Sequence, residues 1–409
     1  MEFKKKKLSN GLSIIGEVNK SAQSAGVGFY VKTGARDETM EVNGVSHFLE
    51  HMVFKGTEKL TSAQVNEAFD RTGAQFNAFT SEEMTVFYAA VLPEYLSVVT
   101  ELWIGLMRPI LRDEDFNIEK NVIKEEIAMY KDMPSYEVMD NCRKLHFGGH
   151  RCGQSVLGSN ESIDGLSSGQ MRGYFEQRYC PNNMVLCFTG NFDWEEICRI
   201  AEKGCSGWVR KEGKRELSDW GGTKKAERLS IGNMSMEHIC LMSRGVSAQD
   251  PRRFAAYLLA VIAGDDMGSR YFWGLVDKAI AETASMGCGL MDGTGIFYSY
   301  IHCERGNAEK AVEIVKKILE ELERNGVTEE ELRAAKNKTL SAMVLKNELP
   351  TGRLIDVGSN WLYLEKYLGI EEEVNSIKTV RVEDINKLIK EFHPGEFTRF
   401  SIGPDKQQA

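Results

Sequence analysis

The feature that most constrains this chain is the pattern His47-x-x-Glu50-His51, which lies within the stretch 44–57. In a helix, residues four apart share one face, so His47 and His51 point to the same side, and Glu50 points there too. Two imidazoles and a carboxylate on one helical face suit a zinc ion and a base for its bound water. The residues between them are apolar and can anchor the helix in a core. We therefore expect a helix that is buried on one side and carries two metal ligands on the other.

A catalytic zinc site usually takes three protein ligands, so the pattern needs one more. A helix predicted over 114–133 offers Glu119, Glu125 and Glu126. Glu119 and Glu126 are seven residues apart and share a face, whereas Glu125 is rotated away by roughly 100°. The spacing favours Glu126 as the third ligand, with Glu119 behind it as a supporting carboxylate. Glu125 is expected to face solvent.

The chain of 409 residues exceeds the size of a single core, which predicts two domains. A polar stretch over 213–225 interrupts the apolar periodicity and is predicted to link domains over 1–212 and 226–409. The second half repeats the first in mixing strand pairs with helices. The pattern predicts an α+β fold of two pseudo-duplicated domains, each with a mainly antiparallel sheet packed with helices. In this repeat 256–260 align with 47–51, and apolar residues replace the histidines and the glutamate.

Charge and cysteine usage exclude some classes of function. A net charge of −9 argues against a general affinity for nucleic acid or anionic membranes. Nine cysteines without a Cys-x-x-Cys pair are typical of reduced, mostly buried thiols, so we predict a cytoplasmic protein. The lysines at 4–7 are not followed by an apolar run, which predicts neither a secretory signal nor a membrane span. His146 and His150 enclose two glycines, so we expect a loop there without a metal.

The chain resembles the inverzincin peptidases, a family that includes pitrilysins, insulin-degrading enzyme and the mitochondrial processing peptidase. The resemblance covers nearly the whole chain and is based on 34–38, 44–57, 73–80, 122–127 and 157–158. In that family the distal ligand is a glutamate about 75 residues past the second histidine, and Glu126 is 75 past His51. A supporting glutamate comes seven residues earlier, where this chain has Glu119. The resemblance implies a small, bacterial-type zinc endopeptidase of peptides or unfolded segments, with one zinc per chain on His47, His51 and Glu126.

The same resemblance implies roles for further residues. Glu50 would take the proton of the zinc-bound water and pass it to the leaving amine, and Glu119 would support the catalytic site. Asn77, Ala78 and Phe79 would lie on an edge strand that receives the substrate as an added strand. Pairing through the backbone predicts affinity with little sequence preference.

One departure from the family pattern bears on partners. Active members usually carry an Arg and a Tyr in the second half that hold substrate and transition state, and the aligned residues here are Val276 and Thr283. Neither residue can supply the charge or the phenol, so an oxyanion contact is missing. We expect a homologous partner subunit to supply the pair in a heterodimer. The alternative is a homodimer in which nearby residues take over, and the candidates are Arg270, Tyr271, Tyr298 and Tyr300.

Two other classes of function compete with the peptidase. A non-hydrolytic interaction or scaffold subunit could keep the fold, but it would have no chemical need for His47, Glu50, His51 and Glu126 together. A structural zinc module would need a fourth protein ligand, and the sequence indicates none.

Overall fold

The computed structural model describes residues 1–213, 215–232 and 234–405. Unit 1 comprises Met1–Ala128, Gln154–Arg215 and Val344–Leu368, and unit 2 comprises Met129–Gly153, Glu216–Met343 and Gly369–Ala409. These compact units differ from a contiguous division at 212 and 226, because each takes a segment from the other half of the sequence. The chain passes from unit 1 to unit 2 at Arg215, inside the predicted linker 213–225. Lys214 of that linker, and Asn233 and 406–409 of the predicted second domain, lie outside the described residues.

Unit 1 contains a six-stranded sheet with the order β1-β2-β6-β3-β5-β4. Its strands are β1 (Glu2–Lys7), β2 (Ser13–Val18), β3 (Ala25–Val31), β4 (Gln75–Thr80), β5 (Thr85–Val91) and β6 (Met184–Gly190). β2 and β6 are parallel, and every other neighbouring pair is antiparallel. β1 and β4 are therefore the two edges of this sheet.

Unit 2 contains a five-stranded sheet with the order β7-β11-β8-β10-β9. Its strands are β7 (Ala226–Ser230), β8 (Met236–Arg244), β9 (Thr283–Leu290), β10 (Gly295–Glu304) and β11 (Thr398–Gly403). Only β7 and β11 pair in parallel. With β1 set aside, the order and the directions match those of β2-β6-β3-β5-β4. The predicted α+β class, with two sheets that are each packed with helices, is confirmed.

Groups of helices lie between some of these strands along the chain. They are α1 (Val45–Val53), α2 (Ser62–Thr72), α3 (Leu96–Leu106), α4 (Asp113–Lys131), α5 (Pro134–Phe147), α6 (Asn160–Gly165), α7 (Ser168–Arg178), α8 (Trp194–Cys205), α9 (Arg253–Gly264), α10 (Ala308–Asn325), α11 (Glu329–Asn347), α12 (Pro350–Leu364), α13 (Ile370–Thr379) and α14 (Val382–Phe392). α5 belongs to unit 2 although it lies in the first half of the sequence, and α12 belongs to unit 1 although it lies in the second half.

The exchanged helices are tied closely to the sheets on which they pack. On α12, Leu354 O accepts a hydrogen bond of 2.7 Å from the Tyr30 hydroxyl, and Gly358 faces the same ring. A Cβ at Gly358 would lie 2.2 Å from Tyr30 Cζ, so the close approach requires glycine. On α5, Val138 and Cys142 are fully buried in a cluster with residues of β8, β10 and β11. A contiguous repeat would not have predicted this exchange.

Several elements were not predicted from the sequence. The sequence does not indicate β1, because four consecutive lysines hide a strand that pairs with β2 along its length. β7, β9, α6 and α13 were also missed. His146, by contrast, ends a helix that the sequence predicts over 136–146; it lies in the last turn of α5, its Nδ1 is 3.3 Å from Thr398 Oγ1, and the two glycines after Phe147 form a turn.

The nine cysteines are free thiols, and eight of them are buried. Among the described residues, no helix is both long and apolar enough for a membrane span.

Candidate metal centre

α1 starts where only glycine fits. Gly44, the residue before its first turn, has φ of 93°, and a Cβ there would lie 2.7 Å from Leu157 O. Beyond it, Phe48 and Leu49 are fully buried, and the ring of Phe48 stacks on Phe116 of α4 at 4.8 Å. The apolar side of α1 thus holds it beside α4, and its polar side faces the acidic residues of that helix.

A buried carboxylate fixes the N-terminus of α1. Glu38 accepts hydrogen bonds from the backbone N–H of Gly44 and of Ser46, each 2.7 Å, and from Asn43 Nδ2 at 2.9 Å. Burial raises the pKa of Glu38 to about 7, although these hydrogen bonds limit the rise. The helix dipole also favours a negative charge at this end. Glu38 lies within the stretch 34–38 that resembles the family, and the sequence alone does not assign it this role.

The polar side of α1 meets α4 at three residues. Ligand atoms of His47, His51 and Glu126 all lie within 4.8 Å of one another. Glu126 Oε2 is 3.7 Å from His47 Nε2 and 3.4 Å from His51 Nε2. Two ligand atoms bound tetrahedrally at about 2.0–2.1 Å from one zinc ion are about 3.4 Å apart. The spacing and the donor types therefore fit a zinc ion, and this is the one such group of three or more found among the described residues.

The electrostatics of the group favour a cation. Burial, together with the neighbouring His51, lowers the pKa of His47 to about 3, so this imidazole is neutral, as a ligand must be. Burial also lowers the pKa of His51, but its hydrogen bond to Glu119 and the charge of Glu126 outweigh that effect, and the pKa is raised. Burial and the charge of Glu119 raise the pKa of Glu126 against the opposing effect of His51. A metal ion would hold His51 deprotonated and Glu126 ionised at once.

Glu119 stands behind His51, as the spacing predicts. Its Oε1 is 2.8 Å from His51 Nδ1, and its Oε2 is 2.5 Å from Lys55 Nζ. Burial raises the pKa of Glu119, but the bonds to His51 and Lys55 outweigh it, and the pKa is lowered. The ionised carboxylate can only accept, so it fixes the proton on Nδ1 and leaves Nε2 of His51 for a metal. Lys55 was missed, although its position four residues after His51 was a usable signal.

Glu50 lies beside the group with a partner of its own. The Thr80 hydroxyl, at the end of β4, donates to Glu50 Oε2 at 2.7 Å. Burial raises the pKa of Glu50, against the opposing effects of this bond and of His51. A carboxylate with a raised pKa suits proton transfer near neutral pH. Nothing in the sequence spacing points from Glu50 to Thr80.

The predicted substrate residues lie on β4, which is an edge of the sheet. Ala78 and Phe79 pair with Phe87 and Val86 of β5, so the other side of β4 has no neighbouring strand in this sheet. Asn77 is exposed, and its Oδ1 accepts the N–H of Ala78 at 2.9 Å. Contact with a peptide stays a prediction. Glu125, by contrast, is exposed on α4, as expected of a solvated residue.

The second-half candidates for the missing Arg/Tyr pair have other partners in unit 2. Arg270 Nε is 2.7 Å from Glu331 Oε1. Tyr271 is fully buried with its hydroxyl 3.0 Å from Ser299 Oγ. The Tyr300 hydroxyl is 2.7 Å from His238 Nδ1. Tyr298 covers Gly287, where a Cβ would lie 2.4 Å from its ring.

Comparison with known proteins gives the same family over both halves of the chain. Residues 14–160 match the profile described as "Insulinase (Peptidase family M16)", and residues 165–339 match "Peptidase M16 inactive domain". The chain is 30% identical to the uncharacterized zinc protease YmxG of Bacillus subtilis over 402 residues, which cover 97% of each chain.

Solved structures share the fold at lower identity. A protease from Helicobacter pylori superposes with a TM-score of 0.91 at 19% identity, covering 98% of this chain and 100% of the other. A Pseudomonas fluorescens protein described as a peptidase M16 inactive domain also has a TM-score of 0.91, at 17% identity, covering 100% of this chain and 99% of the other. At these identities the two structures support the fold alone.

Proposed function

The chain belongs to peptidase family M16, and from this premise we propose that it is a zinc-dependent endopeptidase of peptides or unfolded segments. The observation that carries the proposal is the spacing of His47 Nε2, His51 Nε2 and Glu126 Oε2, with Glu50 beside them. The naming of relatives as zinc proteases supports the choice of metal. We propose one zinc per chain, held by these three side chains.

When bound, the zinc would lower the pKa of a water molecule towards about 7 and polarise the scissile carbonyl. The residues around it prepare the proton transfers. Glu50, with its pKa raised by burial, takes the proton of the attacking water and then delivers it to the leaving amine. Thr80 holds one oxygen of Glu50 at 2.7 Å, which leaves the other oxygen for this exchange. Glu119 keeps His51 in the tautomer that presents Nε2.

In this proposal the substrate binds along the edge strand β4. A peptide that adds to Asn77, Ala78 and Phe79 as a further strand would be held by backbone hydrogen bonds. Because Thr80 ends the same strand and donates to Glu50, a peptide bound along β4 runs towards the base. This arrangement supports selection by extended shape, with little dependence on sequence.

We further propose that the chain is the metal-bearing subunit of a dimer. Val276 and Thr283 stand at the places of the expected Arg and Tyr, and Arg270 and Tyr271 are held by partners within unit 2. A homologous subunit that supplies an Arg and a Tyr would complete the site. A homodimer is the second arrangement.

The test is metal removal and return on the full chain. We expect about one zinc per purified chain, loss of cleavage of an unfolded peptide after chelation, and recovery on adding zinc. Cleavage is assayed with the chain alone and with the chain plus a homologous subunit that carries the Arg and the Tyr. Full turnover by the chain alone would sink the heterodimer, and zinc-independent cleavage would sink the metallopeptidase.

A non-hydrolytic scaffold subunit is the second candidate function. It is favoured by the match of 165–339 to a domain described as inactive and by the absence of Arg and Tyr at 276 and 283. In that case the chain would bind a partner without cleaving peptides itself. Peptide cleavage by any combination of subunits would then not depend on Glu50 of this chain.

A further inference from the structure

Outside the group on α1 and α4, two histidines meet on the sheet of unit 2. His238 of β8 and His302 of β10 are direct partners in the antiparallel register. Their ring centroids are 4.4 Å apart, with an angle of 35° between the planes. Cross-strand partners have Cβ atoms about 4.5–5.5 Å apart, a span across which two imidazoles can reach one ion. Sequence spacing does not indicate this pair, because the two histidines are 64 positions apart.

The Nδ1 atom of each ring lies beside a side-chain oxygen. Glu282 Oε2 lies 3.2 Å from His302 Nδ1, and the Tyr300 hydroxyl lies 2.7 Å from His238 Nδ1. A carboxylate beside Nδ1 favours the tautomer with the proton on Nδ1, which leaves the lone pair of His302 on Nε2. His238 presents Nε2 in the same way when the Tyr300 hydroxyl accepts a hydrogen bond from its Nδ1. Histidines that bind metals are oriented in this way by a carboxylate or another oxygen on the second nitrogen.

The two Nε2 atoms are available to a ligand. Among the described residues, no protein atom hydrogen-bonds to Nε2 of either ring. The His302 side chain is 23% exposed, so solvent reaches it. The backbone N–H of Glu282 donates to His302 O at 2.9 Å, which holds the carboxylate beside its histidine.

We propose that His238 and His302 form a second metal site, which binds a divalent transition-metal ion such as Cu²⁺, Ni²⁺ or Zn²⁺. Imidazole nitrogen suits these ions, and Cu²⁺ binds most tightly of the series. Glu282 and Tyr300 are positioning residues, and water completes the coordination. With two protein ligands, the site binds more weakly than the three-residue group and exchanges its ion readily. Because all four residues lie in unit 2, the inference does not depend on the proposed function.

Two other histidines of unit 2 provide controls. His150 Nε2 is 2.8 Å from Ser218 Oγ, and His393 Nδ1 is 2.7 Å from Glu323 Oε1. Neither has a second histidine as its cross-strand partner. His150 is therefore a matched single imidazole, whose loss should leave the pair intact.

The test uses the full chain with Cu²⁺ as the probe, in a background of His47→Asn and His51→Asn that removes the first group. Electron spin-echo spectroscopy counts the imidazoles bound to copper, and competition with a chelator gives the affinity. We expect one Cu²⁺ with two imidazoles, at least a tenfold weaker affinity in His302→Asn, and about a tenfold weaker affinity in Glu282→Gln. His150→Asn should change neither reading. In the chain with His47 and His51 intact, the same site should appear as a second, weaker equivalent.

An unchanged imidazole count and affinity in His302→Asn would overturn the site. So would equal weakening in His150→Asn, which would indicate scattered surface binding. If His302→Asn proves unfolded by circular dichroism, His238→Gln and Glu282→Gln keep the test decisive. Both variants must then weaken copper binding. Their thermal unfolding midpoints without copper must also stay within the range of the His150→Asn control.

Discussion

The two units contain sheets of the same topology, but their corresponding helices carry different side chains. Strands β2-β6-β3-β5-β4 and β7-β11-β8-β10-β9 have the same order and the same directions, and helices α4 and α11 both have 19 residues. Ala335 and Ala342 of α11 correspond to Glu119 and Glu126 of α4 when positions are counted from the first residue of each helix. α9, aligned with α1, is apolar along nearly its whole length. The fold therefore stands without the histidines and glutamates.

This difference indicates what the polar group is for. Burying imidazoles and carboxylates is costly unless they are paired, and an apolar replacement is often neutral or stabilising. Unit 2 contains such a replacement, with Ala335 fully embedded in its core cluster. Because unit 2 forms the same sheet with apolar residues at the aligned positions, stability does not require His47, Glu50 and His51 on α1 or Glu119 and Glu126 on α4. Their chemistry explains them better than stability does.

The largest expected effect tests the base directly. Glu50→Gln should lower peptide cleavage by about 10²–10⁴-fold, because the amide cannot accept the water's proton. Zinc content should stay at about one per chain, since Glu50 is not a ligand in the proposed site. Cleavage is measured in whichever subunit composition is active. Leu259→Met, at the aligned position of α9, is the control and should leave the rate unchanged. Equal cleavage by Glu50→Gln and the original chain would refute the base.

Next in size is the loss of the third ligand. Glu126→Ala makes α4 resemble α11 at Ala342, and zinc affinity should fall by more than about 100-fold, beyond the loss typical of orienting residues. Because Glu126 is half-buried and α11 tolerates alanine, the fold should persist. Glu125→Ala removes the adjacent exposed carboxylate and should leave affinity unchanged. Competition with a zinc indicator measures both, and a similar loss in the two variants would remove Glu126 from the site.

Glu119 should have a smaller effect, with a pH signature. Glu119→Gln should weaken zinc binding by about 10–100-fold, because the amide orients His51 less firmly. In the metal-free protein the pKa of His51 should fall, since the hydrogen bond and charge of Glu119 help to raise it. NMR titration of His51 measures this shift. Glu125→Gln is the matched control. An unchanged His51 titration would mean that Glu119 does not act through this ring.

Part of this site could be predicted from the sequence, and part could not. His47, His51, Glu119 and Glu126 follow from helical spacing, because each pair lies on a single helix whose period is known. The contact between α1 and α4 depends on the stacking of Phe48 on Phe116, which forms only in the folded chain. Nothing local encodes such a contact.

The same limit explains the missed residues and the missed exchange. Thr80 and Glu50 are 30 positions apart in the sequence. They meet because β4, which ends at Thr80, pairs with β5 in the sheet. The placement of α5 in unit 2 and of α12 in unit 1 depends on which sheet each helix covers, and the position of a helix in the sequence does not specify that sheet. β1 was missed because its lysines alternate with nothing apolar beyond Phe3. Tertiary pairing, and not local propensity, makes it a strand.

The residues before α1 and α9 give opposite pH dependences. Burial raises the pKa of Glu38 to about 7 from 4.5, so the folded state holds this proton more tightly and stability falls as pH rises through that range. Burial also raises the pKa of Asp250, but its bonds to Arg252 outweigh this and lower it. Asp250 thus adds stability above its unfolded pKa, and this stability is lost as pH falls through the folded pKa.

Substitution should therefore act in opposite directions. Glu38→Gln should flatten the decline of stability between pH 5 and 7 by about 1 kcal/mol per pH unit. Asp250→Asn should instead remove stability at neutral pH and progressively less as the pH falls through the folded pKa of Asp250. Urea unfolding of the metal-free chain at several pH values measures both. Parallel pH profiles for Glu38→Gln and the original chain would contradict the buried, readily protonated Glu38.

The smallest effects concern the edge strands β4 and β9, which occupy the same place in the two sheets. The N–H of Ala78 is bound to Asn77 Oδ1 at 2.9 Å, so an added peptide strand must displace that side chain. Asn77→Ala should free the donor and lower KM by about fivefold, the equivalent of one hydrogen bond, whereas Ala78→Pro removes the donor and should raise KM by a similar factor. Proline is tolerated at an edge whose N–H points away from the sheet, so folding should survive. Ser285→Ala on β9 is the control. If both β4 variants shift KM in the same direction, or if Ser285→Ala shifts it equally, peptides do not bind by adding a strand to β4.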